Sequence, residues 1–144
     1  MSKRSIAFAL VVFMAAAVLH AQNTKTVTSH DKSCQVTVPG SWTVSGMFGI
    51  ANSPDNKVSV AVSSPLRTTS LSETKQTAPM VYPNDKVVKS TPAEFQMEGL
   101  SMNNKPNVYR GIQLPGKVCI VEVIYENLTA NDARTIAASL KSAK

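Results

Sequence analysis

Few residues in this chain can do chemistry. Glu94 and Glu98 fall on one face of an alternating stretch, and Glu122 and Glu126 share a face of another. Paired carboxylates can serve as acid and base or hold a cation. Glu122 is flanked on its own face by Val118, Ile120 and Ile124. A carboxylate there is costly unless it finds a partner, for which Arg110, Lys117 or water are the candidates. The plainer account of all four is a solvated strand face with cross-strand ion pairs. His30 stands in a polar leader that offers no fixed surroundings for a general base or metal ligand. It is not the third residue after the expected cleavage point, so it forms no amino-terminal copper site. Gly99-Leu100-Ser101-Met102-Asn103 begins like a nucleophile elbow but lacks the final Gly and leads into a loop. No zinc spacing, P-loop, dinucleotide fingerprint or calcium loop occurs. The expectation is a non-enzyme with no cofactor and no metal. A hydrolase using Glu94, Glu98 or Glu122 is the weakest alternative.

The remaining reactive groups are Cys34 and Cys119. Cys34 shares a strand face with Val36 and Val38, and Cys119 with Val121, Val123 and Tyr125. Both therefore point toward one core. An even cysteine count in an exported chain favours a disulfide. It would join residues 85 apart and stabilise by roughly 4 kcal/mol in the chain-entropy view. Two buried thiols acting as small apolar residues are the alternative.

The export expectation comes from residues 1–21. Lys3 and Arg4 precede an uncharged apolar run from Ile6 to Leu19, and Ala21 offers a small residue before a polar stretch. These are the parts of a secretory signal peptide. The run is 14 residues, short of the ~20 needed to span a bilayer, and no later segment approaches that length. Cleavage after Ala21 would give a periplasmic or secreted protein with no stable membrane span. The mature chain would keep 13 of the 15 Lys and Arg against 9 Asp and Glu, so the net charge falls from +6 to +4. The bases are scattered along the sequence and form no basic stripe, which argues against nucleic acid. A weak attraction to anionic envelope surfaces remains.

The elements that must position these residues follow in order. Residues 22–32 read as a loosely ordered leader, and 33–143 as one domain. Strands are expected over 34–38, 47–52 and 58–62, the last two joined by the Ser53-Pro54-Asp55-Asn56 turn. Ser70 and Glu73 form a capping box for a helix burying Leu71, Thr74, Ala78 and Val81, with Pro79 kinking or shortening it. Strands follow over 86–90, 93–100, 108–113 and 117–126, the last pair turning at Leu114-Pro115-Gly116. A final helix carries the Ala133, Ile136, Ala137, Leu140 stripe, with Thr129 and Asp132 at its start and Lys141 and Lys144 suiting its negative end. This order predicts an α+β fold: an antiparallel sheet of about six or seven strands packed by a central and a C-terminal helix.

The first strand ending in Pro39-Gly40-Ser41-Trp42, the hairpin over Ser53-Pro54-Asp55-Asn56, the central helix, the strand meander and the final Ala133–Leu140 helix together resemble the PsbP-like fold. That fold is shared by a photosystem extrinsic protein, a Ran-binding import factor and many exported bacterial proteins. The resemblance covers roughly residues 31–143. It implies an accessory or interaction module with no common catalytic residues, and a sheet covered by helices on both faces. This sequence departs from it, because Ser33, Gln35, Thr37, Ser59, Ser63, Glu94, Gln96 and Glu98 make the second faces read as solvated. One sheet face is therefore expected to be open.

The leading expectation is an interaction module with an unknown envelope protein or small ligand as partner. The alternative is a small-ligand or lipid-binding domain, its pocket between sheet and helices lined by Phe95, Met97, Tyr109 and Ile136. Candidate contact residues are Trp42, Met47, Phe48, Phe95, Met97 and Tyr109. Trp42 reads better as a cover for one end of the core. Gly46-Met47-Phe48-Gly49-Ile50 is the best exposed apolar loop in the sequence, although strand membership competes with that reading.

Overall fold

The computed structural model describes residues 23–101 and 103–144. The expected signal peptide, residues 1–21, lies outside them, and so does Gln22. The described residues build ten strands and two helices: β1 (Thr24–Thr28), β2 (Cys34–Pro39), β3 (Thr43–Ser45), β4 (Ile50–Asn52), β5 (Val58–Ser63), α1 (Leu71–Val81), β6 (Lys86–Ser90), β7 (Glu94–Leu100), β8 (Pro106–Leu114), β9 (Lys117–Tyr125), α2 (Ala130–Ala138) and β10 (Lys141–Ser142). Seven strands form one antiparallel sheet in the order β3-β4-β5-β9-β8-β7-β6. A separate sheet has the order β1-β2-β10. The fold is α+β, as the order of periodicities predicts.

The strand carrying Cys34 does not join the large sheet. It lies across the core from it, with Val27, Cys34, Val36 and Val38 buried against Val60, Val108, Cys119, Val121 and Val123. The leader expectation is also corrected. Thr24–Thr28 pairs with β2 along its full length and buries Val27. Only one residue of this strand is apolar enough to signal a core, and its backbone hydrogen bonds hold the rest. The loop after it is ordered by Asp31, whose carboxylate accepts from the Ser29 and Ser33 hydroxyls and the Ser33 N–H.

Alternation is obeyed where expected. The Cys34, Val36, Val38 set and the Val58, Val60, Val62 set are buried, and so are Phe95 and Met97. The turn before β5 closes as its residues dictate: the Ser53 hydroxyl donates to Asp55, and the Lys57 N–H donates to the same carboxylate. Residues 47–52 are not one strand. Strands β3 and β4 are joined by a turn over 46–49, in which Gly49 takes φ +65° and any Cβ would collide with the Val62 carbonyl oxygen. Only glycine fits both demands.

Helix α1 starts at Ser70, whose hydroxyl accepts from the Ser72 N–H. It buries Leu71, Thr74 and Ala78 on Phe95, Met97, Tyr109 and Val118. Pro79 lies in the last turn, and Val81 beyond it is exposed instead of buried. Helix α2 packs on the opposite face, with Ala133, Ile136 and Ala137 in the core shared with the small sheet. Thr129 caps it by accepting from the Asp132 N–H. Its last turn holds no basic residue. Lys141 pairs in β10 instead, and Arg110 from β8 donates to the Ala137 carbonyl at 3.0 Å. The cation at the negative helix end is thus supplied from the sheet.

The expected solvated face is a correction too. Glu94, Gln96 and Glu98 lie beneath the end of α2, partly buried and bonded to Arg110, to each other and to Arg134. Both faces of the large sheet are covered over β7–β9. The uncovered portion lies on the α1 side, at Ser59, Ala61 and Ser63 of β5.

Candidate functional site

The carboxylates separate by face. Glu94 is bonded to Lys89 and Arg110, and Glu98 to Arg134. The hydrogen bonds from Lys89 and Arg110 hold the Glu94 carboxyl below its ordinary range. These two acids are held in ion pairs beneath α2. Glu126 pairs with Lys105. Glu122 lies on the opposite face, beside Tyr109 and across from Ala61. Its expected partners Arg110 and Lys117 are bonded elsewhere; the Tyr82 hydroxyl donates to it at 2.9 Å.

Glu122 belongs to a polar group at the end of α1. Asn107, fully buried, donates its amide to Asp85 at 2.8 Å. Buried Asp85 Oδ1, Asn107 Oδ1, Ser101 Oγ and Glu122 Oε1 have no hydrogen-bond partner among the described residues. Burial raises the Glu122 carboxyl above its ordinary value; the Tyr82 hydrogen bond opposes this and the Asp85 charge adds to it. Burial likewise raises Asp85, against its hydrogen bond from Asn107. The sign follows directly. A carboxyl raised in the folded state costs stability as pH climbs above 4.5. Replacing it with an amide removes that cost. We therefore expect Glu122→Gln to flatten the fall of stability above that pH and to leave neutral-pH stability equal or higher. Urea titrations at stepped pH check this; an undiminished pH slope would remove Glu122 as its source. Among the described residues, no group of three or more His, Cys, Asp and Glu is placed to hold a metal ion.

The ligand pocket expected between sheet and helices is not formed by the residues named for it. Phe95, Met97 and Tyr109 are buried with α1 on one face, and Ile136 is buried with α2 on the other. Packing fills both layers at those positions. A different cleft, of about 510 Å³, runs between α2 and β2, with Val38, Leu128 and Ile136 among its walls. Trp42 is buried in the core, so of the six contact candidates only Met47 and Phe48 are exposed.

Met47 and Phe48 are 65% and 66% exposed on the 46–49 turn. That turn sits against the β1–β2 loop: the Met47 carbonyl lies 2.9 Å from His30 Nδ1. The same end carries the 64–69 loop, where Leu66 is 93% exposed. Leu66, Asp31 and Lys117 line one small cleft there. A larger cleft of about 500 Å³ is lined by Lys32, Ser33, Lys117, Ser142 and Lys144, among others. The Cys34–Cys119 disulfide ties the two sheets at this same end, with a Cα separation of 5.7 Å. Sequence reasoning named Met47 and Phe48 but missed Leu66. Its signal was an apolar residue between Ser63-Ser64-Pro65 and Arg67-Thr68-Thr69, in a loop with no core to fill.

Charge that is scattered in sequence is gathered here. The segments 29–33, 46–49, 64–69, 115–117 and 142–144 hold Lys32, Arg67, Lys117 and Lys144 against Asp31 alone. Four bases less one acid gives +3 of the +4 carried by residues 22–144. Asp31 is bonded to Lys117. Partial burial opposes its ionisation, but bonds from Ser29, Ser33 and Lys117 prevail and hold its carboxyl far below the usual range.

No family model matches this chain, and no curated protein matches it by sequence. Among solved structures it is similar to cyanobacterial PsbP (CyanoP) from Synechocystis sp. PCC 6803, with a TM-score of 0.50 and 11% identity over 84% of this chain and 93% of that one. The fold is PsbP-like, as the sequence resemblance implied. At that identity the likeness is one of fold.

Proposed function

We propose that this protein is an exported, non-catalytic accessory module that docks on a partner through its disulfide end. The observation that carries this reading is Met47, Phe48 and Leu66 standing exposed among most of the excess positive charge. Isolated exposed apolar residues are ordinary; three on neighbouring turns within one basic surface are a contact surface. A partner with an anionic face fits it. Export is supported by Lys3, Arg4, the Ile6–Leu19 run and Ala21, and by a disulfide, which persists in the periplasm or outside the cell. The non-catalytic reading is supported by the commitment of Glu94 and Glu98 to ion pairs, and by the absence of a histidine beside Glu122 among the described residues.

A photoreactive side chain at position 48 tests the docking in intact cells, with position 61 on the open part of the sheet as control. Adducts are expected from 48 and not from 61. No adduct from 48, or equal yields from both, would refute docking through this end. Intact mass of the exported protein tests the address: the expected chain starts at Gln22 with both cysteines oxidised. The second reading, a small apolar ligand, is favoured by the cleft between α2 and β2. A Thr135→Trp variant, filling the cleft from an exposed wall position, would then lose binding of an apolar fluorescent probe.

A further inference from the structure

We propose that the partner at the disulfide end is an anionic lipid bilayer, onto which the protein docks with Met47, Phe48 and Leu66 foremost. This rests on the reading of that end as the contact surface and names its partner class. Two features must be explained together. The apolar side chains project from two separate turns and are more than half exposed. Between and beside them are two clefts: Lys32 and Lys144 line the larger with the Ser33 and Ser142 hydroxyls, and Lys117 lines both, paired with Asp31, which also lines both. An acidic protein would account for the lysines but would need a shaped pocket for each of the three tips, which a bilayer receives without one. An amphiphile surface uses both. The tips enter the headgroup and acyl boundary, and the cations meet lipid phosphates at the level above. Lysine suits this geometry, because its stem lies along apolar material while its ammonium stays with phosphate and water.

The local structure fits a rigid probe. Gly49 fixes the 46–49 turn against β5, and the disulfide fixes the β2 and β9 starts beside it. Little order is left to be gained on docking, which favours binding. Among the described residues no helix is long and apolar enough to cross a membrane, so the attachment proposed is to the surface and salt-sensitive.

The test is cosedimentation of the secreted, disulfide-closed protein with vesicles of phosphatidylglycerol in phosphatidylcholine, against pure phosphatidylcholine, at low and high salt. Binding is expected to the anionic vesicles only, and to weaken as salt rises. Phe48→Ser with Leu66→Ser should lower the partition coefficient about tenfold. Lys32→Gln with Lys144→Gln should lower it by a similar factor and flatten the salt dependence. All four side chains are on the surface, so unchanged urea midpoints will confirm folding. Equal binding to neutral vesicles, no binding, or insensitivity to both variants would overturn the proposal. If vesicles do not bind and position 48 still crosslinks to a protein in cells, the lipid assignment fails and the docking module stands. If neither occurs, both fail.

Discussion

Replacing Cys34 and Cys119 together with Ala, or reducing the bridge, should lower stability by about 4 kcal/mol. The bridge closes a loop of 85 residues, so the reduced chain regains much configurational freedom when it unfolds. Its two ends belong to different sheets, β2 of the small sheet and β9 of the large one. No hydrogen-bonded ladder between those strands remains to hold them in register once the covalent link is gone. Domains of this size are stable by only about 5–15 kcal/mol, so the loss is a large share of the total. Urea unfolding followed through buried Trp42, with and without reductant, measures it. A midpoint that does not move would show that packing between the sheets suffices alone.

Arg110→Met should cost about 2 kcal/mol, below the ~3–5 kcal/mol for orphaning one partner of a buried ion pair, because Lys89 remains on Glu94. Arg110 and Glu94 are 12% and 17% exposed. The same guanidinium donates to the Ala137 carbonyl at the end of α2. Loss of Arg110 therefore leaves Glu94 with the more exposed Lys89 alone and frees a helix terminus in one change. Lysine should not restore it, because one ammonium lacks the fork that reaches both partners. Adding Glu94→Met to Arg110→Met should recover part of the loss if the half-compensated carboxylate is the main cost. The pH dependence gives a second check. Glu94 is held below its ordinary 4.5, so its contribution is present above that pH and lost as pH falls through the lowered value. Arg110→Met should shrink this acid-side loss. Additive single and double variants would refute the coupling.

The elements that announce themselves in the sequence are those whose side chains do the packing. Val58, Val60 and Val62 alternate because one face of β5 is core, and the meander from Glu94 to Tyr125 reads for the same reason. Strand β1 was illegible because backbone pairing holds it and Val27 alone reaches the core. The division into two sheets was illegible for a related reason. A strand shows which of its faces is buried and not which strand it pairs with, so Cys34 and Cys119 pointed correctly to one core from opposite sides. The acidic stretch of β7 misled because Arg110 and Arg134, distant in sequence, make its polar face compatible with burial. At the candidate site the apolar turn could be read from Gly46-Met47-Phe48-Gly49. The basic surface could not, because Lys32, Arg67, Lys117 and Lys144 are brought together by topology.

The pairing of β10 with β2 sets a schedule for synthesis and folding. The hairpins of the large sheet join near neighbours and can form as the chain emerges. The small sheet cannot finish until Lys141 and Ser142 arrive to meet Gln35 and Cys34, one of the longest-range pairings in the molecule, and such contacts close slowly. Gln35 and Cys34 thus wait for residues made about a hundred positions later. A chain cut short before Lys141 would leave one edge of β2 bare, an invitation to self-association.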